Sequence, residues 1–217
     1  MRALVVRHFK TLVNVAGQIM GWGDAPRAKA WANDLKFIDK RLRTLGVQFD
    51  SIHSSFLERA RQTAMYYARS RKINVIHDSI QLNEINYGPL LFRKSKVWVS
   101  ENIPQHKKDP DFVYPDGESF RQMQERSVQH LCRLAIRNPD DTVLLVVHAG
   151  VIRGLVSHYL DLEYSDNLKR RVSHRYIGEF HITDGICTHY NELGKPSGFV
   201  NDKVVRIPWA STSSRQY

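Results

Sequence analysis

Four short polar stretches each follow an apolar run. Arg7-His8 comes after ALVV (3–6), SFLERARQTA (55–64) after a second run, LNEINYG (82–88) after a third, and His148-Ala149-Gly150 after TVLLVV (142–147). An Arg–His pair beside a core strand is costly unless it is hydrogen-bonded or holds an anion. If the runs are strands of one parallel sheet, their carboxyl ends line a single crevice and the separated stretches meet there. Arg7, Arg59, His8, His148, Glu84 and Asn14 would then converge. Two guanidiniums, two imidazoles, a carboxylate and an amide suit one task above others, holding and transferring a phosphoryl group. Taken singly, each has a plainer reading, such as a strand-end histidine satisfied by its neighbours. Arg61 reads as a surface helix residue, Ser55 as a helix N-cap and Glu118-Ser119 as a helix start. The other histidines (53, 77, 106, 130, 158, 174, 181 and 189) show no ligand spacing and are expected to be structural or exposed.

The elements that must position these residues alternate between two periods. Residues 2–7, 49–55, 73–78 and 142–148 read as strands, the last almost wholly apolar as befits a central parallel strand. Helices are expected over 26–45, with Trp31, Leu35, Ile38, Leu42 and Leu45 on one stripe and Gly46 as the stop, and over 56–70, 118–137 and from about 151. RYIGEFHITD and GICTHYNE form a closing hairpin that turns at Asp184-Gly185. This rhythm predicts an α/β three-layer sandwich, with a mostly parallel central sheet covered by helices on both faces. Residues 86–117 break the rhythm and read as a loop-rich insertion over the strand ends. Residues 1–210 are expected to be a single domain and STSSRQY (211–217) a disordered tail.

Composition narrows the partners. Hydrophobic residues are 42% of the 217, enough for a sizeable core, and the first apolar run is too short for a signal peptide or membrane span. Cys132 and Cys187 show no metal or disulfide spacing, so a reducing, cytoplasmic setting is the default. The net charge of +10 favours anionic ligands. Its basic residues are scattered, however, and short clusters such as RKSK (93–96), HKK (106–108) and LKRR (168–171) read as solvated surface. A small phosphorylated molecule, rather than nucleic acid or membrane, is the expected partner. Oligomeric state leaves no readable signal.

The same residues resemble a known family. RHFKTLVN (7–14) is similar to the RHGxTxxN signature of the histidine phosphatase superfamily, which includes cofactor-dependent phosphoglycerate mutases. SFLERARQTA resembles its SxLxRAxQTA, LNEINYG its LxE…G, PDGESF (115–120) its PxGES, and VVHAGVIRGL (146–155) its VSHGGVIRxL. Five motifs in the family's order, over roughly residues 3–155, form a specific signal.

The resemblance implies roles. His8 would be the nucleophile of a phosphohistidine intermediate, with Arg7 and Arg59 gripping the phosphoryl oxygens and Asn14 adding a hydrogen bond. His148 would face the same oxygens from the opposite side, and Glu84 would serve as general acid and base. Glu118 is the next candidate for that last role. Fixed cations would do the work a metal does elsewhere, so neither metal nor cofactor is expected. The expected activity is a metal-independent phosphomonoesterase. A phosphoglycerate-type mutase is the first alternative, though Thr11 stands where mutases carry Ser. A catalytically weakened phosphate- or nucleic-acid-binding module is the second. Three departures bear on substrate: Phe9 and Ala149 where glycine is usual, and APRAKAWANDL (25–35) in place of PLTxxGxxQA. Phe9 could crowd the nucleophile, stack on an aromatic substrate, or turn into the core.

Overall fold

The computed structural model describes residues 1–90 and 96–194. The expected disordered tail and residues 93–95 of the RKSK cluster lie outside them. Six strands form one sheet: β1 (Arg2–Arg7), β2 (Ser51–Ser55), β3 (Ile76–Ser79), β4 (Thr142–Val147), β5 (Ile177–Thr183) and β6 (Ile186–Glu192), in the order β3-β2-β4-β1-β5-β6. The β3–β2, β2–β4 and β4–β1 pairs are parallel, while β5 and β6 add antiparallel. The helices are α1 (Leu12–Val15), α2 (Trp31–Thr44), α3 (Glu58–Arg71), α4 (Lys96–Asn102), α5 (Gln105–Lys108), α6 (Phe120–Arg137), α7 (Ala149–Leu160) and α8 (Tyr164–Lys169).

Strand alternation divides the core into two layers. Ala3, Val5, Val143, Leu145 and Val147 pack against α6 and α7, through Met123, Val128, Leu131, Leu155 and Tyr159. Leu4, Val6, Leu144 and Val146 face the other way, against Leu35, Ile38 and Leu42 of α2 and Ala60, Ala64 and Tyr67 of α3. Every residue from Ala3 to Val6 is fully buried, which is why the central strands read as unbroken apolar runs. The β5–β6 hairpin turns at Asp184 and Gly185 with φ of 50° and 77°, the paired left-handed conformation that a tight hairpin turn needs.

Two expectations about local structure are corrected. The helix expected from residue 26 starts at Trp31, because 26–28 pair with 10–12: Leu12 N donates to Pro26 O and Ala28 N to Lys10 O, both at 2.9 Å. Leu45, placed on the buried stripe, lies just past the helix end and is 41% exposed. The described residues of 86–117 include two short α-helices, α4 and α5, which share a cavity with Arg7 and His8 at the end of β1. No helix of the described residues is long and apolar enough to cross a membrane.

Phe9 turns into the core. It is 2% exposed, its ring lies 5.5 Å from that of Trp31 and 5.4 Å from the Arg27 guanidinium, and its amide donates to Thr63 Oγ1 at 3.0 Å. It therefore neither crowds nor stacks on anything bound beside His8. Phe9→Ala is expected to destabilise the fold by about 3–5 kcal/mol through the cavity it leaves. A urea titration reads this as a lower midpoint at constant slope. An unchanged midpoint would contradict the core placement.

Candidate active site

The parallel register of β1 and β4 sets the centre of the site. Arg7 lies opposite Val147 and His8 N donates to Val147 O at 2.9 Å, so His8 and His148 come side by side with ring centres 5.1 Å apart. His8 is 1% exposed, and its Nδ1 lies 2.6 Å from the Phe9 carbonyl. A carbonyl can only accept, so Nδ1 carries the proton and Nε2 keeps its lone pair. Burial, then the charges of Arg59, His148 and Arg7, hold the His8 pKa well below the ordinary imidazole range. The ring is neutral at neutral pH, as a nucleophile must be. His148 is fully buried and shifted the same way by burial, Arg59 and Arg7; neither of its ring nitrogens has a hydrogen-bond partner among the described residues.

Two guanidiniums flank this pair. Arg7 donates from Nη1 to Val172 O at 2.6 Å, and burial, reinforced by Arg153, lowers its pKa to about 10, which leaves it cationic. Arg59, the second residue of α3, is 1% exposed. Its Nη1 donates to Gly23 O and to Asp24 Oδ1 (3.1 Å), and its Nη2 to Gly21 O (2.8 Å). The Nε atoms of both arginines are buried without a partner among the described residues. Buried donors of this kind are normally satisfied, and an oxyanion is their natural acceptor.

Glu84 reaches the site through the loop after the short 3-10 turn at 80–82. Its Oε1 accepts from Ile85 N at 3.1 Å and its Oε2 from Gly150 N at 3.2 Å. A Cβ at position 150 would overlap the Glu84 carboxylate, so only glycine lets α7 approach this closely. Asn14 accepts from Thr11 N through Oδ1 (3.2 Å) while Thr11 Oγ1 accepts from Asn14 N (3.2 Å), a reciprocal cap that leaves the Asn14 amide as a donor. Arg7, His8, Asn14, Arg59 and Glu84 line one cavity of about 250 Å³. His148 sits against it through its contact with His8. No group of three or more His, Cys, Asp or Glu among the described residues is placed to hold a metal ion.

The family model of the histidine phosphatase superfamily (branch 1) matches residues 3–189. The chain belongs to this superfamily. Its relatives include phosphatases, which is consistent with a phosphoric monoester hydrolase, and phosphoglycerate mutases. An adenosylcobalamin/α-ribazole phosphatase of Salmonella typhimurium is 28% identical over 192 residues, covering 87% of this chain and 94% of that protein. A 2,3-bisphosphoglycerate-dependent phosphoglycerate mutase of Bartonella tribocorum is 27% identical over 70% of this chain and 78% of its own. The fold matches the α-ribazole phosphatase structure of Shigella flexneri (TM-score 0.73, 24% identity, 87% and 94% covered). It also matches a phosphoserine phosphatase of Entamoeba histolytica solved with phosphoserine (TM-score 0.74, 21% identity, 88% and 97% covered).

Several residues of this histidine phosphatase site were not singled out by sequence. Asp24 accepts from the backbone amides of Glu58 (3.0 Å) and Arg59 (3.1 Å) as well as from the Arg59 side chain, so one carboxylate caps α3 and fixes Arg59. Ser55, expected to cap that helix, instead bonds Asn83 and Leu57 N, and the N-cap position falls at Leu57. Ser119 does cap α6, with Gln122 answering. Arg153, one turn into α7, lines the cavity and donates twice to Arg170 O (3.2 and 2.7 Å). The His174 ring lies 5.6 Å from that of His8, with Nδ1 2.9 Å from His8 O. His106 and Lys107, expected on a solvated surface, line the cavity. Glu118 is committed elsewhere: it bonds Arg126 and Asn86 N, and Arg126 in turn donates to Gln81 O and Glu84 O, bracing the loop that carries Glu84.

Proposed function

We propose that the protein is a metal-independent phosphomonoesterase that works through a phosphohistidine at His8. The observation that carries this reading is the His8 ring itself, pinned through Nδ1 to the Phe9 carbonyl, neutral, and set among Arg7, Arg59 and His148. Nε2 attacks phosphorus, forming the P–N bond as the ester P–O bond breaks. Arg7, Arg59, His148 and the Asn14 amide hold the equatorial oxygens, whose charge grows most in the transition state. Glu84 gives its proton to the departing alkoxide, then takes one from the attacking water, and inorganic phosphate leaves with the P–N bond broken. The substrate is a small phosphorylated metabolite. A mutase would share every step up to phosphohistidine and pass the group to a second alcohol instead of water. Thr11, where mutases carry Ser, is buried and caps α1.

Hydrolysis of p-nitrophenyl phosphate is expected to continue undiminished in excess EDTA, because the guanidiniums supply the charge. Complete loss on chelation, restored by magnesium, would overturn the reading.

A further inference from the structure

Beyond the phosphoryl end, the cavity changes character. Its far walls are Tyr87, Val99, Phe112, Tyr114, Phe120 and Tyr164, drawn from the 86–117 segment, the start of α6 and α8. These rings pack on one another: Tyr87 on Tyr114 (4.8 Å between centres), Phe112 on Tyr114 (5.2 Å) and Phe120 on Tyr164 (4.8 Å). Tyr164 Oη donates to His106 O at 2.5 Å and ties α8 to α5, so the wall is held together from both sides. Val99, Tyr114 and Phe120 are buried behind Tyr87, Phe112 and Tyr164, which are only partly covered, and such partly open aromatic faces gain most from a flat apolar group. An apolar cavity of about 150 Å³ already accepts benzene. The space of about 250 Å³ here therefore takes a ring as well as a phosphoryl group.

Charge in the lining selects further. Glu84 is the only carboxylate among the described lining residues, and it is spoken for at the phosphoryl end. Beyond Arg7 and Arg59, the Arg and Lys side chains in the described lining are Arg153 and Lys107. An ammonium group on the substrate would meet two like charges and no free carboxylate, and the attraction of the ring faces would have to offset both that repulsion and the loss of its hydration. A short polyol or glycerate would leave the aromatic wall in contact with water.

Resting on the phosphatase reading above, we infer that the aromatic compartment selects the alcohol half of the substrate: a phosphomonoester whose alcohol carries an aromatic or comparably bulky apolar group and no positive charge. The phosphoryl end sets the chemistry, and the 86–117 wall sets which esters are used.

Binding of phosphonates, which are not hydrolysed, reads this compartment without turnover. In isothermal calorimetry, benzylphosphonate is expected to bind at least about tenfold tighter than methylphosphonate, the gain from burying one ring. Aminoethylphosphonate is expected to gain nothing over methylphosphonate. In Phe112→Ala the benzyl-to-methyl ratio should fall below about threefold, as part of the ring's wall is removed. Should that variant fail to fold, the ratio in the unaltered protein decides alone. A ratio near one, or aminoethylphosphonate as the tightest ligand, would overturn the inference. The two readings fail separately: p-nitrophenyl phosphate hydrolysed with a ratio near one removes the compartment, whereas tight benzylphosphonate with no hydrolysis of any ester removes the phosphatase.

Discussion

His8→Ala is expected to lose turnover of p-nitrophenyl phosphate by roughly 10⁴-fold or more, because the covalent route has no second nucleophile. The neighbouring imidazole does not substitute: the His148 ring centre lies 5.1 Å from that of His8, and the register of β1 and β4 holds it beside the nucleophile's position rather than in it. The His8 side chain makes one hydrogen bond, to the Phe9 carbonyl, so the variant should remain folded. A thermal melt alongside the assay separates lost chemistry from lost structure. A folded His8→Ala enzyme with near-normal rate would rule out His8 as the nucleophile.

The second large effect belongs to Glu84. With alkyl phosphates, whose departing alkoxide is strongly basic, Glu84→Gln is expected to lose about 10²–10⁴-fold in kcat/KM, which reports formation of the phosphohistidine and not its hydrolysis. With p-nitrophenyl phosphate the loss should stay within about tenfold, since that leaving group needs little protonation. The glutamine keeps the shape that fits under Gly150, so its amide oxygen can still accept from Gly150 N. Equal losses on both substrates would take the acid role from Glu84. Glu118 is a poor successor, since Arg126 and the Asn86 amide hold its carboxylate outside the cavity lining.

Much of this arrangement was legible because it depends on strands of simple pattern. Two unbroken apolar runs, ending in Arg7-His8 and in His148, fix a parallel pair whose register brings the histidines together. Asp184-Gly185 is a turn that few other sequences make, and the structure has it. Phe9 was undecided because it stands past the end of β1, where alternation no longer assigns a face; its ring goes to the Leu4 and Val6 side through contacts with Trp31 and Arg27. The start of α2 was misplaced because helical periodicity carries no trace of the extended pairing between residues 10–12 and 26–28. Asp24 and Arg153 escaped for a related reason. Their partners, Arg59 and Arg170 O, are 35 and 17 residues away in the chain, and no local spacing announces such contacts. The aromatic wall was hidden in a segment whose Lys, Pro and Asp content suggested only loop, although Tyr87, Phe112 and Tyr114 were in plain view.

The central claim is a covalent bond between phosphorus and His8 Nε2. Rapid quenching of the enzyme during turnover of p-nitrophenyl phosphate, followed by peptide mapping at alkaline pH, tests it directly. The account predicts an acid-labile phosphoryl group on His8, absent from His8→Ala and accumulating in Glu84→Gln, where attack by water is slowed. A phosphoryl group on another residue, or turnover by a direct displacement that leaves the protein unmodified at every quench time, would contradict it.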